Sequence, residues 1–236
     1  MTARLFAALL AAASFAAPAL AQQQAAPVDA LPPPGLSDPQ PAAANRGVPV
    51  GRLDAAQRAT LSRVNDYFNA IQTLVAKFEQ VGPDGRRTTG TVYVDKPGKI
   101  RFQYDRPSPL EIIADGNSVA VRNSKLNTQD LYPLSQTPLR FLLQDRINLL
   151  TDANVLGVFQ EPELVSVILE EKRAIGGKAQ LQLMFGGPNY QLQSWTVTDA
   201  QGGETTVALS DLDTGRKPDP RIFRINRQGV NRGGPK

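Results

Sequence analysis

The sequence predicts an α+β fold in which a long antiparallel sheet curls into an incomplete barrel and short helices lie across its mouth. Three observations predict it. One helical apolar stripe opens the folded part, the apolar period then switches to two with Gly, Pro or Asp corners at regular intervals, and a second short helical interval splits the strands into two groups. A sheet of this many short strands curls rather than lying flat. Full closure would abolish its edges but leave the helices nothing to cover, so the unclosed form accounts for more of the chain.

Composition bounds the chemistry. With 236 residues, 41% hydrophobic and 20% charged, the chain can bury one substantial core. It has no cysteine and no histidine, which removes thiol nucleophiles, disulfides, imidazole bases and the usual zinc ligand sets. No metal site, cofactor or catalytic residue is expected. The net charge of +4 is spread along the chain rather than gathered in blocks, and no nucleic-acid partner is expected.

From the N-terminus, "MTARLFAALLAAASFAAPALA" places Arg4 before an apolar run and small residues at Ala19 and Ala21. This three-part pattern reads as a secretory signal over 1–21, cut after Ala21. The apolar run falls short of the roughly 20 residues that span a bilayer. Residues 22–51 carry seven prolines, no aromatic residue and no periodicity, and read as a disordered Pro/Ala-rich tether. The folded domain is expected over 52–226 and a flexible tail over 227–236.

Its first element is an amphipathic helix. Asp54 with Gln57 three residues on forms a capping-box pair, and Leu61, Val64, Phe68 and Ile71 recur at helical spacing. Strands follow at "LVAKFEQV", "RRTTGTVYVDKP", "GKIRFQYDRP", "PLEIIADG" and "SVAVRNS". In the third of these, Lys99, Arg101, Gln103 and Asp105 take one parity while Ile100, Phe102 and Tyr104 take the other, giving one wet and one dry face. The dry face fits a protein core or a ligand. In "TPLRFLLQD", Pro138 suits a first helical turn and Leu139, Leu142 and Leu143 form a stripe. Strands resume at "ELVSVILEEKR", "KAQLQLMFGG", "YQLQSWTVTDAQG" and "ETTVALSDLDTG".

Other residues invite sharper readings and take plainer ones. Asp95, Asp105 and Asp115 sit at strand ends, where aspartate bonds its own backbone, and are not read as an acid-base set. Trp195 reads as sheet packing, and "GGPNY" from Gly186 to Tyr190 as a turn, since no lysine-serine pair or helix follows it. Arg140, Arg146, Arg224, Arg227 and Arg232 read as scattered surface charge.

Taken in order, "AKFEQ", "GTVYVDKPGKIRFQYDRP", "LEIIADGNSV", "TPLRFLL" and "LQSWTVTDAQGGETTVALSDL" resemble the periplasmic outer-membrane lipoprotein carriers of the LolA type, over about Leu53 to Arg224. The resemblance implies an unclosed antiparallel half-barrel with a lid of short helices enclosing an apolar cavity. It implies a periplasmic, monomeric, non-catalytic chaperone that binds the acyl chains of lipoproteins. Its partners would be acylated lipoproteins, an inner-membrane lipoprotein-release ABC transporter, and an outer-membrane acceptor or the outer membrane itself. On this reading Ile100, Phe102 and Tyr104 face the hollow, covered by Phe68, Phe78, Phe141 and Leu142.

Two departures from the family pattern stand out. Where many members carry an arginine before the corner proline, as a latch to the lid, this chain has Lys96, which reads as a solvated corner residue ahead of a lid latch. Where the family often has an aromatic pair after Asp115-Gly116, this chain has Ala120 and Arg122, and the hollow is expected to lose aromatic surface there. Two alternatives stay open: a carrier of free phospholipid or another amphiphile on the same scaffold, and a hydrolase of envelope polymers, which the turn placement of the carboxylates disfavours.

Overall fold

A computed structural model describes residues 53–171 and 177–227. The expected leader (1–21), tether (22–51) and all but Arg227 of the tail lie outside them.

Helix α1 (Ala55–Ala70) starts where the sequence places it. The Asp54 carboxylate accepts from the Gln57 amide at 2.7 Å, and the Gln57 side chain accepts from the Asp54 amide at 3.0 Å. These bonds satisfy donors that a helix start leaves open. Thr60, Leu61, Val64 and Phe68 form its buried face. Ile71 turns extended and leads into the sheet.

A first meander follows: β1 (Thr73–Val81), β2 (Arg87–Asp95), β3 (Lys99–Tyr104), β4 (Leu110–Asp115), β5 (Ser118–Asn123) and β6 (Thr128–Pro133). The lid segment then holds a 3-10 turn (Leu134–Gln136) and two one-turn helices, α2 (Arg140–Leu143) and α3 (Leu149–Asp152). A second meander comprises β7 (Asn154–Glu161), β8 (Leu164–Glu171), β9 (Ala179–Gly186), β10 (Gln191–Thr198) and β11 (Glu204–Asp213). Its last strand pairs antiparallel with β1, so the described residues form one eleven-stranded sheet ordered β6-β5-β4-β3-β2-β1-β11-β10-β9-β8-β7. The edge strands β6 and β7 do not pair, and the barrel is unclosed.

Strands β6 and β7 lie where the sequence shows no clear strand pattern. In β6 only Leu131 and Tyr132 are large apolar residues, and β7 is interrupted by Gly157 and a register shift between Val155 and Gly157. Both are edge strands, paired on one side only, so half of the usual patterning pressure is missing.

Strand parity builds the core. Ile100, Phe102 and Tyr104 of β3 are buried on the concave face, in line with Val92 and Val94 of β2 and Leu74, Ala76 and Phe78 of β1. Gly90 sits opposite Phe78 in the β1–β2 ladder, where a Cβ would stand 2.7 Å from the Phe78 ring. Its missing side chain is what lets that ring turn inward. Phe78 then meets Phe102 and Tyr104 edge to face at 5.3 and 5.1 Å.

The convex face carries a cover of its own. The 3-10 turn Pro220–Phe223 contacts β3 and β4, Phe223 is buried, and Arg101 donates to the Ile222 carbonyl at 3.0 Å. Val119 and Val121 of β5 join the concave core, so Ala120 and Arg122 take the opposite parity. The expected loss of aromatic surface from the hollow is therefore corrected: these two positions face the convex side, because strand alternation puts neighbours on opposite faces.

Candidate functional site

The concave face is covered by α1 and the lid segment, and between them lies an apolar hollow. Tyr67, Phe68 and Ile71 line it from the end of α1, and Leu142 from α2. The sheet contributes Leu74, Val92, Val94, Ile100, Leu192, Trp195 and Leu209, and Lys96 enters from the β2–β3 corner. About 40 Å³ is free inside. That is close to one water's share of liquid volume, roughly 30 Å³, and far below the roughly 300 Å³ or more of a ligand pocket. As it stands, the hollow has no room for a bound ligand.

Of the residues expected to meet ligand, Phe68, Ile100 and Leu142 line this space. Phe78, Phe102, Tyr104 and Phe141 are buried around it without bordering it. Phe102 meets Phe78 and Trp195 edge to face at 5.3 and 6.3 Å on the sheet, and Phe68 of α1 meets Phe185 at 5.6 Å, so the rings form two clusters, one beneath the hollow and one at the end of α1. Val92 and Val94 were visible in the alternation of "GTVYVD", but nothing local set them apart from ordinary core. Leu192 and Trp195 come from the other meander and reach the site only because β11 returns to β1.

Few polar groups are present in or beside the hollow. Burial pushes the Tyr104 hydroxyl well above the usual phenol range, and it donates to Gln80 Oε1 at 2.7 Å. The Trp195 indole N–H is buried with no hydrogen-bond partner among the described residues. An orphan donor of this kind costs about 1–3 kcal/mol unless something fills the place of the missing acceptor.

Lys96 corrects the sequence reading. It is buried rather than solvated, its Nζ donates to the Phe68 carbonyl at 2.6 Å, and it lies 5.7 Å from the Phe68 ring centre. The acceptor is a last-turn carbonyl of α1, a group that the helix itself leaves open and that carries the negative end of its dipole. Burial lowers the Lys96 pKa to about 8, against a smaller upward pull from Asp145. No local pattern could announce this, since the partner lies 28 residues away.

Other tethers hold the lid. Gly98 N donates to the Leu143 carbonyl at 2.8 Å, fastening α2 to the same corner. Arg140 of α2 donates to the buried Glu171 carboxylate at 2.6 Å. From α1, Asn69 donates to the Ile147 carbonyl at 3.1 Å and accepts from the Ile147 amide at 2.8 Å, while Asn65 accepts from the Leu149 amide at 3.0 Å.

The three strand-end aspartates do not form a set. Asp95 accepts from Lys99, Asp105 from Thr89 at the opposite strand end, and Asp115 from the Asn117 and Ser118 amides. Among the described residues no His, Cys, Asp and Glu cluster could hold a metal ion, and no helix is long and apolar enough to cross a membrane.

Residues 69–226 match a family model described as outer membrane lipoprotein carrier protein LolA. The chain is similar to the outer-membrane lipoprotein carrier protein of Methylococcus capsulatus, 25% identical over 185 residues covering 75% of this chain and 88% of that one. It is also similar to the protein of the same name from Leptothrix cholodnii, 29% identical over 168 residues covering 67% and 77%. Among solved structures, an uncharacterized conserved protein from Thermus thermophilus overlays with a TM-score of 0.45 at 13% identity, covering 75% of this chain and 99% of that one. A LolA superfamily protein from Nitrosomonas europaea overlays with a TM-score of 0.39 at 13% identity, covering 70% and 97%.

Proposed function

The chain belongs to the LolA family of outer membrane lipoprotein carrier proteins, and from that premise we propose that it carries acylated lipoproteins across the periplasm. It would take them from an inner-membrane lipoprotein-release ABC transporter and deliver them to an outer-membrane acceptor or to the outer membrane itself, working as a monomer without catalysis. The observation that carries this reading is the apolar hollow between lid and sheet, closed by a handful of polar tethers.

The energetics suit the task. Each buried CH₂ contributes about 0.8 kcal/mol, so a lipoprotein with several long chains needs a shield in water. Opening the lid exposes Phe68, Ile71 and Leu142 and breaks tethers such as Lys96 to Phe68, and an entering acyl chain covers the exposed surface again. The two states then differ by a modest free energy, which is what lets cargo leave as well as enter.

Capture of a radiolabelled lipoprotein from spheroplasts tests the proposal, with depletion in cells as its counterpart. Purified protein should release lipoprotein into the supernatant, and depletion should strand outer-membrane lipoproteins at the inner membrane. Normal sorting after depletion would exclude the role. Native mass spectrometry of the periplasmic protein should find an acylated polypeptide bound, whereas free phospholipid as the sole occupant would replace the lipoprotein reading.

A further inference from the structure

Away from the lid, the β1–β2, β3–β4 and β5–β6 hairpin tips gather at the strand ends opposite the Lys96 corner and enclose a second cavity of about 570 Å³. Four cations line it, Arg86, Arg87, Arg106 and Lys125, against a single carboxylate, Asp105. Asp105 already accepts from Thr89 Oγ1 at 2.8 Å. Arg86 and Arg87 are paired with Asp84 and Glu79, in exposed contacts that contribute little. Arg106 and Lys125 have no ion pair among the described residues.

The cavity is built rather than incidental. Ser124 donates to the Pro109 carbonyl through both its amide, at 2.9 Å, and its hydroxyl, at 3.1 Å, which fastens the β5–β6 tip to the β3–β4 corner. The Asp105 amide donates to the Thr89 carbonyl at 2.9 Å, tying that corner back to β2. Thr88 Oγ1, in the wall, is buried and has no hydrogen-bond partner among the described residues. Next to Lys125, at the tip itself, Leu126 is 45% exposed, one of three large apolar side chains so exposed among the described residues.

We propose that this cavity and the Leu126 tip dock the protein on the surface of an anionic phospholipid membrane, with a lipid phosphate held between Arg106 and Lys125. Cations alone would fit any phosphate. The membrane is favoured because the cations surround an exposed leucine, the arrangement in which an apolar tip enters the interface while basic side chains meet the headgroups. The surface is separate from the acyl hollow and shares none of its lining residues. Docking here would bring a carrier to a membrane with its lid facing away from the contact.

The test is co-sedimentation of the purified protein with vesicles of phosphatidylcholine, alone or mixed with phosphatidylglycerol. All variants keep the same N-terminal residues, so any affinity those contribute cancels in the comparison. Binding should appear with phosphatidylglycerol only and fall as salt rises. Arg106→Glu with Lys125→Glu should weaken it by at least about thirtyfold, the loss expected from removing two basic residues at an anionic surface before the repulsion of the new carboxylates, and Leu126→Ser should weaken it several-fold. Arg216→Glu with Lys217→Glu, exposed at the far end of β1, should leave it unchanged, and so should the thermal unfolding and acyl-ligand response of every variant. Equal binding to neutral vesicles, or equal loss in the distant control, overturns the proposal. So does saturable binding of glycerol 1-phosphate without vesicle binding, which would assign the site to a soluble phosphate ester. Loss of acyl-ligand response with vesicle binding intact would place these residues in the cargo path and overturn it as well. A failure of cargo capture alone leaves the docking result standing, so the two readings fail separately.

Discussion

Lys96 shows how a single side chain can set the balance of the lid. In the closed form burial lowers its pKa to about 8, whereas a lysine released into water returns to about 10.5. Opening therefore takes up a proton between these values, so raising the pH through that window favours closure, by up to about tenfold per unit, and below about 8 the effect is flat. Global stability follows the same sign, because the unfolded chain also binds the extra proton. Emission of Trp195, the single tryptophan, reports on the hollow it lines. Acyl-ligand uptake followed this way should slow from pH 8 to about 10, below the range in which the buried tyrosines, raised by burial, titrate. Lys96→Arg stays charged throughout and should show no such dependence. Trp195→Phe tests the other polar group. It removes an unpartnered N–H, so thermal unfolding of the empty protein, read by calorimetry, should show a stabilisation of up to about 1 kcal/mol.

At the scale of elements, the lid is a set of short pieces that depend on their neighbours. Helices α2 and α3 are four residues each and carry too few internal hydrogen bonds to persist alone. Their positions come from outside: Gly98 and Glu171 for α2, and Asn65 and Asn69 of α1 for the stretch around α3. Asn69→Ala removes two bonds to Ile147 and leaves its amide without an acceptor, at a cost of about 1–3 kcal/mol. Amide exchange at Ile147 and Leu149 should accelerate by one to two orders of magnitude while the strand amides keep their protection. Uniform acceleration across the sheet would show instead that the lid and barrel open as one unit.

For the whole molecule, the question is whether the concave face is sealed core or a hollow that opens. Phe102 is fully buried beneath the hollow, between Phe78 and Trp195, so Phe102→Glu should destabilise the fold by about 4 kcal/mol or more. Leu142 borders the free space from the lid and is only half-buried. Leu142→Asp should therefore leave thermal unfolding within about 1 kcal/mol of the parent, since the carboxylate can turn to water. Lipoprotein capture should fall at least tenfold. A folded Leu142→Asp protein that captures cargo normally would show that cargo lies elsewhere.

The sequence by itself determined the start of α1, the parity of β3, the two-group order of strands and the unclosed form, because capping residues, alternation and corner residues act over a few positions and leave their mark there. Part of the lining of the hollow was legible on the same terms: Phe68, Ile100 and Leu142 carry apolar patterns of their own. What only the tertiary structure decided depends on contacts between distant segments. The return of β11 to β1 brings Trp195 and Leu192 into the hollow, alternation on β5 turns Ala120 and Arg122 to the convex face, and the lid leaves only a small free volume inside. Lys96 is the clearest case. A lysine at a proline corner reads as solvated, and it is buried here because α1 ends above it with a carbonyl that no residue of its own helix can satisfy.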